Sequence, residues 1–181
     1  YPGADASLVR VTDTGRLAQV RARYGLPERY LLFVGTLQPR KNIARLVRSY
    51  ARWRRESGRA DVGLALAGQQ GWLFDPRWTE GVEGVHLTGY VYDADVAALY
   101  SGALALVFPS LYEGFGFPAL EAMRCGTPVI TSTTSSLPEV AGDAALLVNP
   151  RDEAEIAQAI DRIVTDEALR ATLIERGTEQ A

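Results

Sequence analysis

The sequence of 181 residues contains one cysteine, one histidine and one methionine. A single Cys125 excludes an intramolecular disulfide and a cysteine-rich metal cluster, and it suits a reducing compartment, for which we expect the cytoplasm. The only histidine, His86, has no second histidine or cysteine near it in the sequence. We therefore interpret His86 as a structural or edge-strand residue, and we predict no metal site around it.

The chain also lacks long apolar runs and an excess of positive charge. No uninterrupted apolar stretch reaches the roughly 20 residues that a membrane-spanning helix needs, and no basic-then-apolar start indicates a signal peptide. The 19 Lys and Arg residues against 22 Asp and Glu residues give a net charge of -3. We expect no membrane span and no nucleic-acid partner, so any anion must be bound by a local arrangement of groups.

What the sequence does contain is an alternation of apolar, β-rich runs with segments of helical periodicity. The predicted strands are residues 30–34, 62–67, 85–87, 104–108, 128–131 and 145–148. Such alternation predicts parallel strands joined by right-handed helical crossovers. We expect an α/β protein, a Rossmann-like three-layer sandwich with a mainly parallel sheet of about six strands.

Helices are predicted from apolar spacing and from end signals. The first crossover helix carries Ile43, Leu46, Val47 and Tyr50 at helical spacing, and its arginines (Arg45, Arg48, Arg52 and Arg55) occupy other faces, which indicates a solvated face more than a nucleic-acid stripe. Another helix covers residues 96–100 with Asp93 as its cap, and a further one begins at Pro118 and ends before Gly126. The remaining predicted helices are residues 16–24, 137–141, 153–164 and 167–176.

The loop after the first strand, residues 35–42, reads Gly-Thr-Leu-Gln-Pro-Arg-Lys-Asn. It opens a helix that Asn42 can cap, so backbone N–H groups, the helix dipole and the cations of Arg40 and Lys41 converge on one point. This arrangement suits a phosphate group. The loop lacks the spacing of a P-loop, and an exposed basic turn explains it equally well when it is taken alone.

The loop after the fourth strand, residues 109–121, reads Pro-Ser-Leu-Tyr-Glu-Gly-Phe-Gly-Phe-Pro-Ala-Leu-Glu. Gly114 and Gly116 let the backbone approach a ligand, Glu113 sits in that loop, and we expect Glu121 on the first turn of the next helix. Two such carboxylates suit a ligand that carries phosphate and vicinal hydroxyls. The alternative, a helix-start acid and a solvated loop residue, explains each glutamate but not the glycines and proline around them.

The run Gly114-x-Gly116-x-x-Ala119 also matches a relaxed dinucleotide fingerprint, which would make the chain an NAD-binding oxidoreductase domain. That motif needs an abrupt turn directly after the strand, and here several residues precede the first glycine. It also needs an acid for the ribose after the next strand, and residues 131–134 are Thr-Ser-Thr-Thr. A nicotinamide or flavin site is therefore disfavoured.

Asp93-Ala94-Asp95 is a D-x-D triplet, which in some sugar transferases binds a divalent metal. Since the triplet falls where a helix begins, helix capping is the preferred interpretation. No metal site is predicted here.

Six segments taken together resemble glycosyltransferase family 4, the retaining GT-B enzymes often called group 1 glycosyltransferases. They are residues 33–42, 87–91, 108–110, 113–121, 126–130 and 137–140. The resemblance spans nearly the whole chain and is to the C-terminal, donor-binding half of the GT-B fold. It implies that residues 1–13 are an interdomain linker remnant and that residues 14–181 are the nucleotide-sugar-binding domain. The N-terminal acceptor domain and the final crossing helix would then be absent.

The resemblance also implies a role for each site residue. Glu121 would bind the ribose hydroxyls, Glu113 the donor sugar, and Arg40 and Lys41 the diphosphate. The other implied nucleotide-sugar contacts are Gly35, Thr36, Tyr90 and Val91, with the last two beside the base, the backbone of Gly114, Phe115, Gly116 and Phe117, and Leu120. Many members carry arginine where this chain has Thr36, which leaves more diphosphate charge to Arg40 and Lys41.

The implied reaction is transfer of a hexose from a nucleoside diphosphate to a hydroxyl acceptor with retained anomeric configuration. The loop at residues 35–42 resembles mannosyltransferases most, which favours GDP-mannose as donor substrate, with no separate cofactor. Glu113, Arg40 and Lys41 are the catalytic candidates. We expect this chain alone to bind the donor without transferring the sugar, and a non-catalytic sugar-nucleotide-binding module is the main alternative.

Overall fold

A computed structural model describes residues 8–181 of the chain. Within them, six parallel strands form one sheet in the order β3-β2-β1-β4-β5-β6. The strands are β1 Arg29–Val34, β2 Val62–Ala67, β3 Val85–Gly89, β4 Ala105–Phe108, β5 Val129–Ser132 and β6 Ala145–Val148. The predicted α/β class and parallel six-stranded sheet are confirmed.

Seven helices accompany the sheet in the described residues. They are α1 Thr14–Arg23, α2 Ile43–Ser57, α3 Asp93–Ser101, α4 Phe117–Arg124, α5 Leu137–Ala141, α6 Glu153–Thr165 and α7 Glu167–Gln180. Helix α2 packs against α6, while α1, α3, α4 and α7 form a second contiguous set. Right-handed crossovers from β1 to β2 and from β3 to β4 put these two sets on opposite faces of the sheet, which gives the predicted three layers.

The core lies where the central strands are covered from both faces. Strands β2, β4 and β5 are buried along their whole length, as expected for a parallel sheet between helical layers. The Phe33 and Phe108 rings stack across neighbouring strands with 5.7 Å between centroids. Strand β3 is at the edge and only partly buried, so His86 is an edge-strand residue as predicted.

Helix α2 buries the predicted apolar face, while Arg48 and Arg52 on its outer faces pair with Glu153 and Glu56. Of the predicted linker, residues 1–7 lie outside the described residues, and residues 8–13 run up to α1 without helix or strand. That linker assignment stays a prediction. No helix within residues 8–181 is long and apolar enough to cross a membrane.

Two predicted helix caps are wrong in detail. Asn42 precedes α2 in a left-handed conformation with φ 64°, and its amide caps nothing in that helix. Instead its Nδ2 donates to the carbonyls of Pro109 at 2.9 Å and Pro150 at 2.7 Å, since a short amide that tolerates positive φ can bridge neighbouring loops. Helix α3 begins one residue earlier than the cap prediction requires, so Tyr92 is its N-cap and Asp93 its first helical residue.

Asp95, the second acid of the D-x-D triplet, fastens α3 to α1. Its carboxylate is fully buried and accepts hydrogen bonds from Arg16 Nη2 at 2.5 Å, Arg23 Nη1 at 2.6 Å and the Tyr24 hydroxyl at 2.7 Å. Burial alone would raise the pKa of Asp95, but the bonds from Tyr24, Arg23 and Arg16 outweigh it and hold that pKa below its usual range. Asp95 therefore has a structural role, as an ion-pair partner between two helices.

Replacing Asp95 with asparagine is expected to lower the free energy of unfolding by about 2 kcal/mol, because two guanidinium groups lose their counter-ion. The figure is below the roughly 3–5 kcal/mol of a fully buried pair because both arginines reach solvent. Urea denaturation measures it, and Asp93→Asn in the exposed first turn is the matched control, expected to change stability by less than about 0.5 kcal/mol.

The stability that the ion pairs of Asp95 contribute is expected to depend on pH in the acid range. Because the folded-state pKa lies below the ordinary value of 3.8, the stabilisation is complete above that value and is lost as pH falls through the lower, folded-state pKa. The stability difference between wild type and Asp95→Asn should therefore shrink below about pH 3.8. A difference that stays constant down to the acid transition would contradict this account.

Candidate functional site

The carboxyl ends of adjacent strands bring the two predicted loops to one edge of the sheet. Residues 35–42 follow β1, residues 109–116 follow its neighbour β4, and residues 133–136 follow β5. The loops are bonded directly, since Leu111 N–H donates to the Arg40 carbonyl at 2.9 Å. Loops at this edge of a parallel sheet are the usual place for a ligand site.

Three predicted catalytic residues meet in one ion-paired cluster, Arg40–Lys41–Glu113. Lys41 Nζ donates to Glu113 Oε1 at 2.6 Å, and the two side chains are only 8% and 7% exposed. Arg40 is half-exposed and its Nη1 lies 3.3 Å from Glu113 Oε2 and 3.2 Å from the Tyr112 carbonyl. Arg40 thus points towards Glu113. Two cations beside one carboxylate leave a single positive charge in excess.

The Lys41 ammonium has an apolar neighbour on its other side, the Phe108 ring, whose centroid is 4.8 Å from Nζ. Because the pair is enclosed, the attraction between Lys41 and Glu113 is screened less than at an open surface. The pairing also means that Glu113 and the cations form one unit, whereas the sequence resemblance assigned them to different parts of a ligand.

Hydroxyl side chains at the end of β5 and directly after it hold the Glu113 loop in place, and sequence reasoning missed them. Ser135 Oγ donates to the Glu113 carbonyl and accepts from its N–H at 3.2 Å, while Ser136 Oγ donates to the Glu113 and Phe115 carbonyls. Ser132 Oγ donates to the Ser110 carbonyl at 2.6 Å. The available signal was the unbroken run of six Thr and Ser residues at 131–136, which begins in a buried strand and continues past its end.

The two loop glycines differ in what requires them. Gly116 is buried with φ 97°, and an added Cβ would come within 2.6 Å of Leu137 Cδ2 in α5, so packing and backbone conformation both demand glycine there. Gly114 is exposed, and open space surrounds the position where its Cβ would be. Gly114 is therefore the position where a ligand can approach the backbone.

Glu121 is the fifth residue of its helix and so lies in the second turn, not in the first as predicted, because α4 begins at Phe117. Its Oε2 accepts a hydrogen bond from the Tyr100 hydroxyl at 2.8 Å. Complete burial, with the nearby Glu121 charge adding to it, raises the pKa of Tyr100 well above its usual value, so the phenol remains a donor. Tyr100 thereby orients Glu121, and it is a further site residue that the sequence did not reveal.

A cavity of about 300 Å³ opens at the ends of β1, β2 and β3 and is called here the strand-end cavity. It contains four predicted nucleotide contacts, Gly35, Thr36, Tyr90 and Val91. The rest of its lining is Val34, Ala67, Gly68, Gln69, Val96 and Leu99. Its mostly apolar walls and exposed backbone suit a flat heteroaromatic ring.

The remaining predicted contacts do not line the strand-end cavity. Phe115 and Leu120 line a second cavity of about 220 Å³ with Glu139, Val140 and Gln180, apart from the strand-end cavity. Phe117 is 37% exposed and its ring lies 4.7 Å from that of Phe115, centroid to centroid. No group of three or more His, Cys, Asp or Glu side chains that could hold a metal ion occurs within residues 8–181.

The family model described as "Glycosyl transferases group 1" matches residues 19–180, which is nearly the whole chain. The chain belongs to this family. Among curated relatives of this group 1 domain, O-antigen chain mannosyltransferase B of Escherichia coli is 42% identical over 157 residues, which cover 84% of this chain and 41% of that protein. The chain therefore spans about two fifths of the length of this relative.

Solved structures of similar fold agree with the architecture of the group 1 domain. The C-terminal domain of a group 1 glycosyl transferase from Francisella tularensis superposes with a TM-score of 0.78 at 21% identity, covering 96% of this chain and 93% of that one. HepE of Anabaena in complex with UDP and glucose gives a TM-score of 0.83 at 20% identity, covering 99% of this chain and 50% of that one. Family membership favours a glycosyltransferase domain over the NAD-binding oxidoreductase hypothesis.

Proposed function

We propose that the chain is the donor-binding domain of a retaining glycosyltransferase, which transfers a hexose from a nucleoside diphosphate to a hydroxyl acceptor. The observation that carries this proposal is the Arg40–Lys41–Glu113 cluster, which combines excess positive charge with a carboxylate at the carboxyl edge of the sheet. The anionic oxygens of a sugar diphosphate can bind the positive charge, and its sugar hydroxyl groups can donate to the carboxylate.

We assign each part of such a donor to a region of the site. The base enters the strand-end cavity beside Tyr90 and Val91, and Glu121, oriented by Tyr100, accepts hydrogen bonds from the ribose hydroxyls. Arg40 and Lys41 bind the diphosphate. The donor sugar lies against Glu113 and the backbone N–H groups that begin at Gly114.

Stabilising the charge that grows on the departing diphosphate supplies most of the catalytic effect. Lys41 and Arg40 act directly, and the N-terminus of α2, which starts two residues after Lys41, adds its positive dipole end. The leaving phosphate oxygen takes the proton from the acceptor hydroxyl as the new glycosidic bond forms. Glu113 positions the sugar and faces the positive charge that develops at the anomeric carbon.

GDP-mannose is the proposed donor. The support is the identity of 42% to a protein named as a mannosyltransferase, together with the mannosyltransferase-like sequence of residues 35–42. Because the chain spans only 41% of that relative, we propose that the acceptor is bound by a separate N-terminal domain in cis. The 181-residue chain alone is then expected to bind the donor and to transfer nothing.

Thermal shift of the chain against GDP, UDP, ADP and NAD tests the proposal. A ligand at about 100 times its dissociation constant should stabilise the folded state by roughly 2.7 kcal/mol, and we expect GDP to give the largest shift and NAD none. Glu121→Ala should reduce the shift because the ribose loses its acceptor, while Glu153→Ala on the outer face of α6 is the matched control. A shift with NAD alone, or sugar transfer by the chain itself, would contradict the proposal.

A further inference from the structure

The segment of chain from the last residue of β3 to the start of α3, residues 89–92, forms one wall of the strand-end cavity and has little support from the sheet. Strand β3 is the sheet edge, and Tyr90 and Tyr92 are 56% and 60% exposed. Their rings meet edge to face with centroids 5.6 Å apart. On the sheet side the segment is held by the hydrogen bond from Gly68 N–H to the Gly89 carbonyl at 3.1 Å.

On the opposite side, residues 89–92 are held by a tyrosine that follows α1. The N–H of Tyr92 donates to the Tyr24 hydroxyl oxygen at 3.1 Å, and that hydroxyl donates its proton to Asp95 Oδ2 at 2.7 Å. Asp95 can only accept, so the proton direction is fixed and the Tyr24 oxygen remains an acceptor for Tyr92. Burial is the largest of the effects that raise the pKa of Tyr24, which keeps the hydroxyl protonated.

The chain from residue 11 to residue 24, which includes α1, is hydrogen-bonded near both ends of α3. At the C-terminal end of α3, Val11 N–H donates to Ser101 Oγ at 2.9 Å, and at its N-terminal end the bond joins Tyr24 to Tyr92. Arg16 and Arg23 hold Asp95 between these two points. Helix α3 contributes Val96 and Leu99 to the strand-end cavity, so both the wall at Tyr90 and the wall at α3 depend on α1.

We propose that Tyr24 is a positioning residue for the nucleoside base. Its hydroxyl joins the α1–α3 ion-pair network to the backbone of residues 89–92 through hydrogen bonds to Asp95 and Tyr92. These bonds fix the position of that backbone and so set the width of the strand-end cavity. The proposal rests on the proposed function, because it assumes that this cavity receives the base. It gives the D-x-D triplet a role in donor binding that acts through Tyr24 and involves no metal ion.

The test is Tyr24→Phe in the 181-residue chain, which removes one hydroxyl and keeps the ring. Calorimetric titration should show a dissociation constant for GDP or UDP, whichever binds wild type more tightly, raised by about fivefold to tenfold, the effect of one lost hydrogen bond. Inorganic pyrophosphate should bind as to wild type, because Arg40 and Lys41 are untouched. Hydrogen exchange at the Tyr92 amide should be faster by a similar factor.

Tyr50→Phe is the matched control. It also removes one hydrogen-bonded tyrosine hydroxyl, which donates to the Val62 carbonyl at 2.7 Å at the other end of β2. Nucleotide binding and Tyr92 exchange should both be unchanged in this variant. The control separates loss of the Tyr24 hydroxyl from a general loss of stability.

Three outcomes for Tyr24→Phe overturn the inference alone: nucleotide binding equal to wild type, unchanged exchange at the Tyr92 amide, or an equal loss for nucleotide and pyrophosphate. An equal loss for nucleotide and pyrophosphate would mean that the substitution disturbs the whole site and not only the cavity wall beside the base. A wild-type chain that binds neither GDP nor UDP overturns the proposed function, and the inference falls with it.

Discussion

Replacing Lys41 with alanine is expected to raise the dissociation constant for the nucleoside diphosphate by about a hundredfold or more, the scale found when one member of a buried charge pair is removed. The ammonium is nearly enclosed between Glu113 and the Phe108 ring, so its interaction with a diphosphate is weakly screened. Its loss also leaves the Glu113 carboxylate with Arg40 alone, which removes the positive excess. Isothermal titration of GDP and UDP measures the effect.

Lys41→Ala should also cost about 3 kcal/mol of stability, because a nearly buried carboxylate loses its main partner. The double variant Lys41→Met with Glu113→Gln removes both charges and is expected to recover most of that stability while binding remains weak. Arg48→Ala, in the exposed ion pair of α2 with Glu153, is the control for loss of a cation from the surface. Wild-type affinity in Lys41→Ala would refute the assignment of the diphosphate to this cluster.

Glu113→Gln in the full-length parent protein is expected to lower kcat by at least about a hundredfold, as removal of one preorganised electrostatic group does in other active sites. Affinity for the nucleoside diphosphate should be equal or higher, because Lys41 no longer has a carboxylate competing for it. Initial rates of sugar transfer and titration with GDP, measured on the same preparation, separate the two effects.

The matched control for Glu113→Gln is Glu153→Gln, which alters an exposed acid and should leave kcat unchanged. A Glu113→Gln protein that transfers sugar at the wild-type rate would remove Glu113 from the reaction. If the wild-type parent binds a sugar nucleotide and shows no turnover with any acceptor, the non-catalytic binding module is the better description.

The sequence predicted the architecture well because a parallel sheet buried on both faces leaves a strong local pattern. All six strands were found within two residues at either end, as in 85–87 against Val85–Gly89, and the helices followed from apolar spacing. The residue types at the site were also predictable, since Gly114, Glu113 and Lys41 occur in short contiguous loops.

The pairing of those residues was not predictable from local pattern. Lys41 and Glu113 are 72 residues apart and meet only because β1 lies next to β4, an order that alternation of strands and helices does not specify. Tyr24 and Asp95, 71 residues apart, depend in the same way on α1 packing against α3. Asn42 failed as a cap because its Nδ2 donates to two carbonyls from distant loops and its Oδ1 accepts from Arg45 in place of a helix N–H.

The hydroxyl groups after β5 set a condition for making chimeras between relatives. A donor loop at residues 109–116 moved alone into another scaffold would arrive without the serines that hold its Glu113 backbone, and its carboxylate would sample orientations away from Lys41. Exchange of donor specificity should therefore be attempted with the segment at residues 132–136 included. The loops that follow the adjacent strands β4 and β5 therefore work as one structural unit. Mutations in the two loops are expected to have non-additive effects.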